Sequence, residues 1–193
     1  MIIDYLKQIN WIDIFVIITL LRITYISLKR GFPIEIFKLL GTVCAIFLAC
    51  HYYIRLGIFL NKFISLSNQS GIDFLNFFSF LMLYFLGYGS FVLIRLAFTA
   101  LIRMEAISLL NRWGAFILGM GRWGLLVSVI FFSISVSNFT YFKHSLKNSL
   151  SGLNFFKLTP RIYLALWDNF MFRFINNEEF NNSLFLVEQQ LTK

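Results

Sequence analysis

The chain has 193 residues and a mass of 22.7 kDa, enough for one domain or two small ones. Hydrophobic residues make up 59% of it and charged residues 13%, with a mean hydropathy of +0.75, whereas a soluble domain is roughly half apolar and about a quarter charged. That excludes a water-soluble globule and points to an integral membrane protein, in which a net charge of +8 marks loops meeting anionic lipid rather than a nucleic-acid surface.

The first residues, with Asp4 and Lys7, show neither the basic start nor the small-residue cleavage site of a removable signal peptide. Four segments then reach the roughly 20 mostly apolar residues that a membrane-crossing helix needs. The first spans about 11–28 and ends on Lys29-Arg30-Gly31. The second spans about 33–53, and its Pro33 suits a helix's first turn, where the missing N–H costs nothing. So short a turn predicts an antiparallel hairpin. Residues 55–73, with Ser65, Ser67, Asn68, Gln69, Ser70 and Gly71, read as a longer polar loop. Spans three and four, about 74–102 and 114–136, form a second hairpin across 103–113, which completes a transmembrane domain over residues 1–138.

Residues 139–193 change character. Lys143, His144, Lys147, Asn148, Ser149 and Ser151 read as a polar linker. Thr159-Pro160 reads as an N-cap with Pro at the first helical position, opening an amphipathic helix over about 160–175. It is too short and too polar to span, so it lies in the membrane interface or packs back on the bundle. The rest is expected to fray. The fold class is all-α: a polytopic membrane protein with four transmembrane helices as two antiparallel hairpins, plus this C-terminal amphipathic helix.

Charges inside spans are costly, so their positions are informative. Counting at 1.5 Å per residue puts Arg22, Arg95 and Arg122 each about 12 Å from their turns, at one common depth. Lys38 lies on the same side, with Glu35 and Glu105 as the nearby acids. Two readings stand. The arginines snorkel to the interface and pair with lipid phosphate or Glu35, or they line a cavity that holds an anion or an acidic partner segment. At the other face Asp13, His51 and Arg55 are expected to meet as an interfacial polar cluster, with Trp11, Tyr52 and Tyr53 forming an aromatic belt.

Gly41, Ala45 and Ala49, and again Ala115 and Gly119, recur four apart, a spacing that lets helices approach closely in lipid. Cys44 and Cys50 face away from each other on a helix, which argues against a disulfide or a metal pair. No phosphate loop, nucleophile elbow, CxxC or HExxH motif and no paired catalytic carboxylates are present, so no enzyme, catalytic residue, metal or cofactor is expected.

Eight bases (Arg22, Lys29, Arg30, Lys38, Arg95, Arg103, Arg112 and Arg122) lie towards the turns. Six (Lys7, Arg55, Lys62, Lys143, Lys147 and Lys157) lie towards the termini. The positive-inside rule therefore favours cytoplasmic turns and periplasmic termini.

Trp11-Ile12-Asp13, the turn Lys29-Arg30-Gly31-Phe32 with Glu35 after it, and His51-Tyr52-Tyr53 resemble the colicin V production protein (CvpA) family. Asn111-Arg112-Trp113-Gly114 and Gly119-Met120-Gly121-Arg122 are similar to that family's Asp-Arg-x-x-Gly and Gly-x-x-Arg-Gly signature, with Asn111 in place of Asp and Trp123 in place of Gly. The resemblance covers about residues 10–160. It implies a multi-pass bacterial inner-membrane protein, accessory or scaffold in peptide toxin production or export and in envelope function. It marks Arg30, Gly31, Glu35, Arg112, Gly114, Gly119 and Arg122 as candidate functional or structural positions. The alternative reading is a channel or transporter protomer with an arginine-lined anion site. Partners are the lipid bilayer and either further copies of the chain or another membrane protein; nucleic acid is not expected.

Overall fold

The computed structural model describes residues 10–101, 108–137, 139–171 and 178–192. Among them all regular structure is helical. The long helices are α1 (Trp11–Arg30), α2 (Phe32–Ile64), α3 (Gln69–Leu101) and α4 (Ser108–Val136), and each contains a stretch long and apolar enough to cross a membrane. Shorter helices follow: α5 (Thr140–Lys147), α6 (Gly152–Phe156), α7 (Leu158–Leu166), which continues into a π-helical turn at Trp167–Met171, and α8 (Ser183–Thr192).

Local chemistry explains the boundaries. Asn10 caps α1: its Oδ1 accepts from the Trp11 N–H at 2.7 Å, and the Asp13 carboxylate reaches back to the Asn10 N–H at 3.1 Å. Gly31 ends α1 and starts α2. Its φ of +84° is left-handed backbone that a side chain would strain, and an added Cβ would sit 2.6 Å from Asn111 Oδ1. The Phe32 N–H, one of the donors a helix start leaves without a helical partner, donates to that same Oδ1 at 2.6 Å.

Helix α2 runs further than the polarity pattern predicts. The segment 54–64 is apolar enough to stay helical, and the chain turns only where Ser65 adopts a left-handed conformation (φ 54°, ψ 45°). The Ser65 N–H bonds Asn61 O at 2.7 Å, and the Leu66 N–H bonds Asn61 Oδ1 at 2.9 Å. The loop expected over 55–73 thus contracts to the link between Ile64 and Gln69. At 33 residues α2 and α3 are each about 50 Å long, well beyond a hydrocarbon core of roughly 30 Å.

Packing does not simply follow chain order. Helix α2 packs mainly on α3 and next on α4, while α1 lies on α4 and scarcely touches α2 despite the one-residue link. The small residues serve these seams within the chain. On α2, Gly41 abuts Phe91 and Ala45 abuts Gly87; on α4, Gly114 abuts the Phe32 ring and Gly119 abuts Ser27. Gly121 faces open space instead.

The described residues of the segment expected as a linker and frayed tail are mostly helical and docked. Phe156 is fully buried and stacks on Phe132, whose ring also meets Phe80. Thr159 lies inside α7 rather than capping it, because its hydroxyl and its N–H both find Ser128 Oγ at 2.7 Å. Leu184 and Leu191 anchor α8. The amphipathic helix therefore packs back on the bundle, and residues 172–175 of its expected length lie outside the described residues.

Replacing Gly41 with Leu pushes a side chain into Phe91, whose Cβ would lie 2.8 Å from the new Cβ. It is expected to cost about 1–3 kcal/mol in reversible unfolding from micelles. Gly89, with nothing within 4 Å of an added Cβ, is the control: Gly89→Ala is expected to cause no loss.

Candidate functional site

The best-defined polar site lies where α1, α2 and α4 meet. Glu35 sits in the first turn of α2, where an acid also suits the helix dipole, and it is fully buried. Its two oxygens are divided between two bases. Oε1 binds Lys38 Nζ, one turn on along α2, and Oε2 accepts from Arg122 Nε of α4 at 2.9 Å. Lys38 and Arg122 are themselves buried. Arg122 Nη2 also reaches Ser27 Oγ of α1 at 3.5 Å, so one carboxylate links three helices.

The glycines make this junction possible. Gly119 is nearly one turn before Arg122 and lets Ser27 approach; any side chain there would collide with the serine. Gly114 admits the Phe32 ring, and Gly31 admits the Asn111 amide. Gly31, Glu35, Asn111, Gly114, Gly119 and Arg122 therefore converge on one region of the bundle. Asn111 serves there as a neutral acceptor for the Phe32 N–H. Trp123 is held one helix face away, its Nε1 donating to Val16 O and Thr19 Oγ1, both at 3.2 Å.

The arginines that counting places at one depth separate by direction. Arg122 points into the bundle, whereas Arg22 is exposed on α1, and Arg30 and Arg112 are exposed as well. Residue counting fixes height along a helix but not the side facing its neighbours. Arg95 is half-buried in a narrow crevice with Lys38, Phe37, Tyr88, Phe91 and Val92 that leaves no room for a water molecule. Arg103 and Glu105 lie outside the described residues.

Asp13, His51 and Arg55 do not come together as one cluster, because α1 packs on α4 rather than beside α2. Asp13 instead holds the tail. It accepts from the N–H groups of Ser151 at 3.0 Å and Leu150 at 3.3 Å and from the Ser151 hydroxyl at 2.5 Å. Asn10 adds a bond to Ser145 O at 2.9 Å.

His51 and Arg55 bind a residue the pattern placed in a frayed segment. Glu178 Oε2 lies 2.6 Å from Arg55 Nη1 and 3.2 Å from His51 Nε2. His51 Nδ1 lies 2.8 Å from the Tyr163 hydroxyl, and its ring stacks between Phe47 and Trp167. Asn181 closes the clasp, its Nδ2 donating to Cys50 O at 2.7 Å. The Arg55 guanidinium, and after it His51, holds the Glu178 carboxyl below its ordinary value of 4.5. Burial pushes the Tyr163 phenol up to about 12, so it stays a neutral hydrogen-bonding group. Glu178, Asn181 and Tyr163 carry no motif, and only the buried face of α7 hinted at a contact.

Buried polar groups that bond one another across long apolar helices define a multi-pass, all-helical membrane protein whose polar interior holds the helices together. Among the described residues no cluster of His, Cys, Asp and Glu has the geometry of a metal site. The chain belongs to the colicin V production protein family, whose family model matches residues 12–158. No curated protein and no solved structure matches it significantly.

Two outcomes are expected. Glu35→Gln leaves two buried bases without an anion, so it should destabilise more than Arg122→Leu, which leaves Glu35 paired with Lys38. Breaking such a pair costs about 3–5 kcal/mol, measurable by unfolding in micelles. The clasp should also depend on acid. A carboxyl with a lowered folded pKa contributes stability above its unfolded value and loses it as pH falls through the folded one. Protection against hydrogen exchange across 178–192, relative to the intrinsic rate at each pH, should therefore hold at neutral pH and fall only below about pH 4.5. Glu178→Gln should show low protection at every pH.

Proposed function

We propose that this protein is a non-catalytic accessory or scaffold component of the bacterial inner membrane, acting in peptide toxin production or export and in envelope function. The observation that carries the reading is the Glu35–Arg122 pair. It uses the most deeply buried arginine among the described residues to fasten helices rather than to line a passage. The crevice beside Arg95 and Lys38 is too narrow for water, which weighs against an anion-conducting protomer. Family membership supports the link to toxin production.

A scaffold needs surface to offer. The outer face of α1 exposes Ile14, Ile17, Ile18 and Leu21, and α3 exposes Phe78, Met82, Phe85 and Leu93, available to lipid, a second copy or another membrane protein. The charge count favours cytoplasmic turns and periplasmic termini.

The test joins phenotype to flux. In cells whose peptide-toxin output depends on this protein, Glu35→Gln should lower secreted toxin while Gly89→Ala leaves it unchanged at equal protein levels. Proteoliposomes of the wild-type chain should pass chloride no faster than protein-free vesicles. Chloride flux that disappears with Arg95→Leu would instead establish the channel reading.

A further inference from the structure

Helix α1 turns a long apolar face away from the bundle. Ile14, Ile18, Leu21, Tyr25 and Leu28 are all exposed and recur at four- and three-residue steps, which aligns them in one stripe. Such a stripe suits lipid as well as a partner helix, but Arg22 interrupts it. Arg22 is exposed and stands between Ile18 and Tyr25 on the same face. Its level is set by α1 itself. The helix has 20 residues, so it is about 30 Å long and matches the hydrocarbon core. Exposed Trp11 marks one end, and exposed Lys29 and Arg30 mark the other. Arg22 therefore lies close to the midpoint, about 12 Å from Arg30 and about 16 Å from Trp11.

A guanidinium at that depth is costly unless it meets a counter-charge. Snorkelling to the nearer interface is opposed by direction, because every Cα–Cβ bond of a helix tilts towards its N-terminus, here the farther interface. The chain itself has no acid to spare. Among the described residues of the four long helices the acids are Asp13, Glu35 and Asp73, and each is bonded to another group of the chain. Arg22 has no hydrogen bond or ion pair to any described residue. A second copy fits no better. A two-fold axis along the membrane normal sets equal residues at equal depth, so this face packed on itself would oppose Arg22 to Arg22.

We infer that the outer face of α1 docks a transmembrane helix of another protein, one that carries a carboxylate near its own midpoint. That carboxylate pairs with Arg22 as Glu35 pairs with Arg122 inside the bundle, and the apolar stripe packs along the rest of the helix. The inference rests on the scaffold reading and gives the scaffold's partner a chemistry.

A designed probe stands in for the partner: a transmembrane Leu-Ala peptide with one central Glu, or Gln in its place, and a photoreactive diazirine side chain one turn away. The full chain in phosphatidylcholine nanodiscs is illuminated with each peptide, and the cross-links are mapped by helix. The Glu peptide should label α1 about tenfold more than the Gln peptide, the size of one interhelical polar contact in a bilayer. Arg22→Leu should bring the two peptides to equal labelling with the helix content intact by circular dichroism, while Arg22→Lys, which keeps the charge, should retain a preference for Glu. Equal labelling of the wild-type chain, as a lipid phosphate or a second copy already seated on Arg22 would give, overturns the assignment. So does a preference that survives Arg22→Leu, or one that falls on α3 instead of α1. Toxin output and chloride flux judge the scaffold reading separately, so the failure of this face and the failure of that reading give different results.

Discussion

A carboxylate in the interior of a membrane-spanning bundle is tolerated only when its charge and its hydrogen-bonding capacity are both met, because desolvation of an unpaired ion costs several kcal/mol. Glu35 meets that condition with one base from its own helix and one from α4. Lys38 would be present however α2 was placed. Arg122 arrives only when α2 and α4 are in one register, so their pairing selects that register over slipped ones. The neighbouring contacts depend on it. With Arg122 seated, Gly119 comes against Ser27, Gly114 against Phe32, and Asn111 reaches the Phe32 N–H across the Gly31 break. Lipid gives apolar helices little reason to prefer one another over the bilayer, so close packing and a few buried polar bonds supply the specificity.

The same principle works at the opposite end, with the tail as one partner. Asp13 and Glu178 each accept bonds from a segment distant in sequence, and the aromatic rings of Phe47, His51, Tyr163 and Trp167 fill the space between. The tail is in effect a further layer of the bundle. It covers part of α2 and the end of α4, with Ser183, Leu186 and Val187 of α8 facing Tyr53, Ile54 and Val136 across a cavity.

Much of this was legible in the sequence, for physical reasons that also explain the rest. Apolar runs of membrane length announced the four long helices, since nothing else accommodates so many consecutive apolar residues in this composition. Small residues spaced four apart marked real seams, at Gly41 with Ala45 and at Gly119. Of the positions the resemblance marked, Glu35 and Arg122 pair directly, Gly31, Gly114 and Gly119 admit Asn111, Phe32 and Ser27, and Arg30 and Arg112 face outward. Counting along the helices gives no direction: Arg22 faces out while Arg122 faces in. The end of α2 was missed because polar residues at 65–71 suggested a long loop, whereas a single left-handed Ser65 suffices to turn the chain. Glu178 was invisible because its partners, Arg55 and His51, lie more than a hundred residues away.

Glu35 and Arg122 stabilise the bundle through each other. A double-mutant cycle measures this directly, using Glu35→Gln, Arg122→Gln and the pair together, with unfolding free energies taken in the same micelles. A coupling of about 1–3 kcal/mol is expected for groups in direct buried contact. Effects that add to within about 0.5 kcal/mol would contradict it, because residues that do not touch behave in that way.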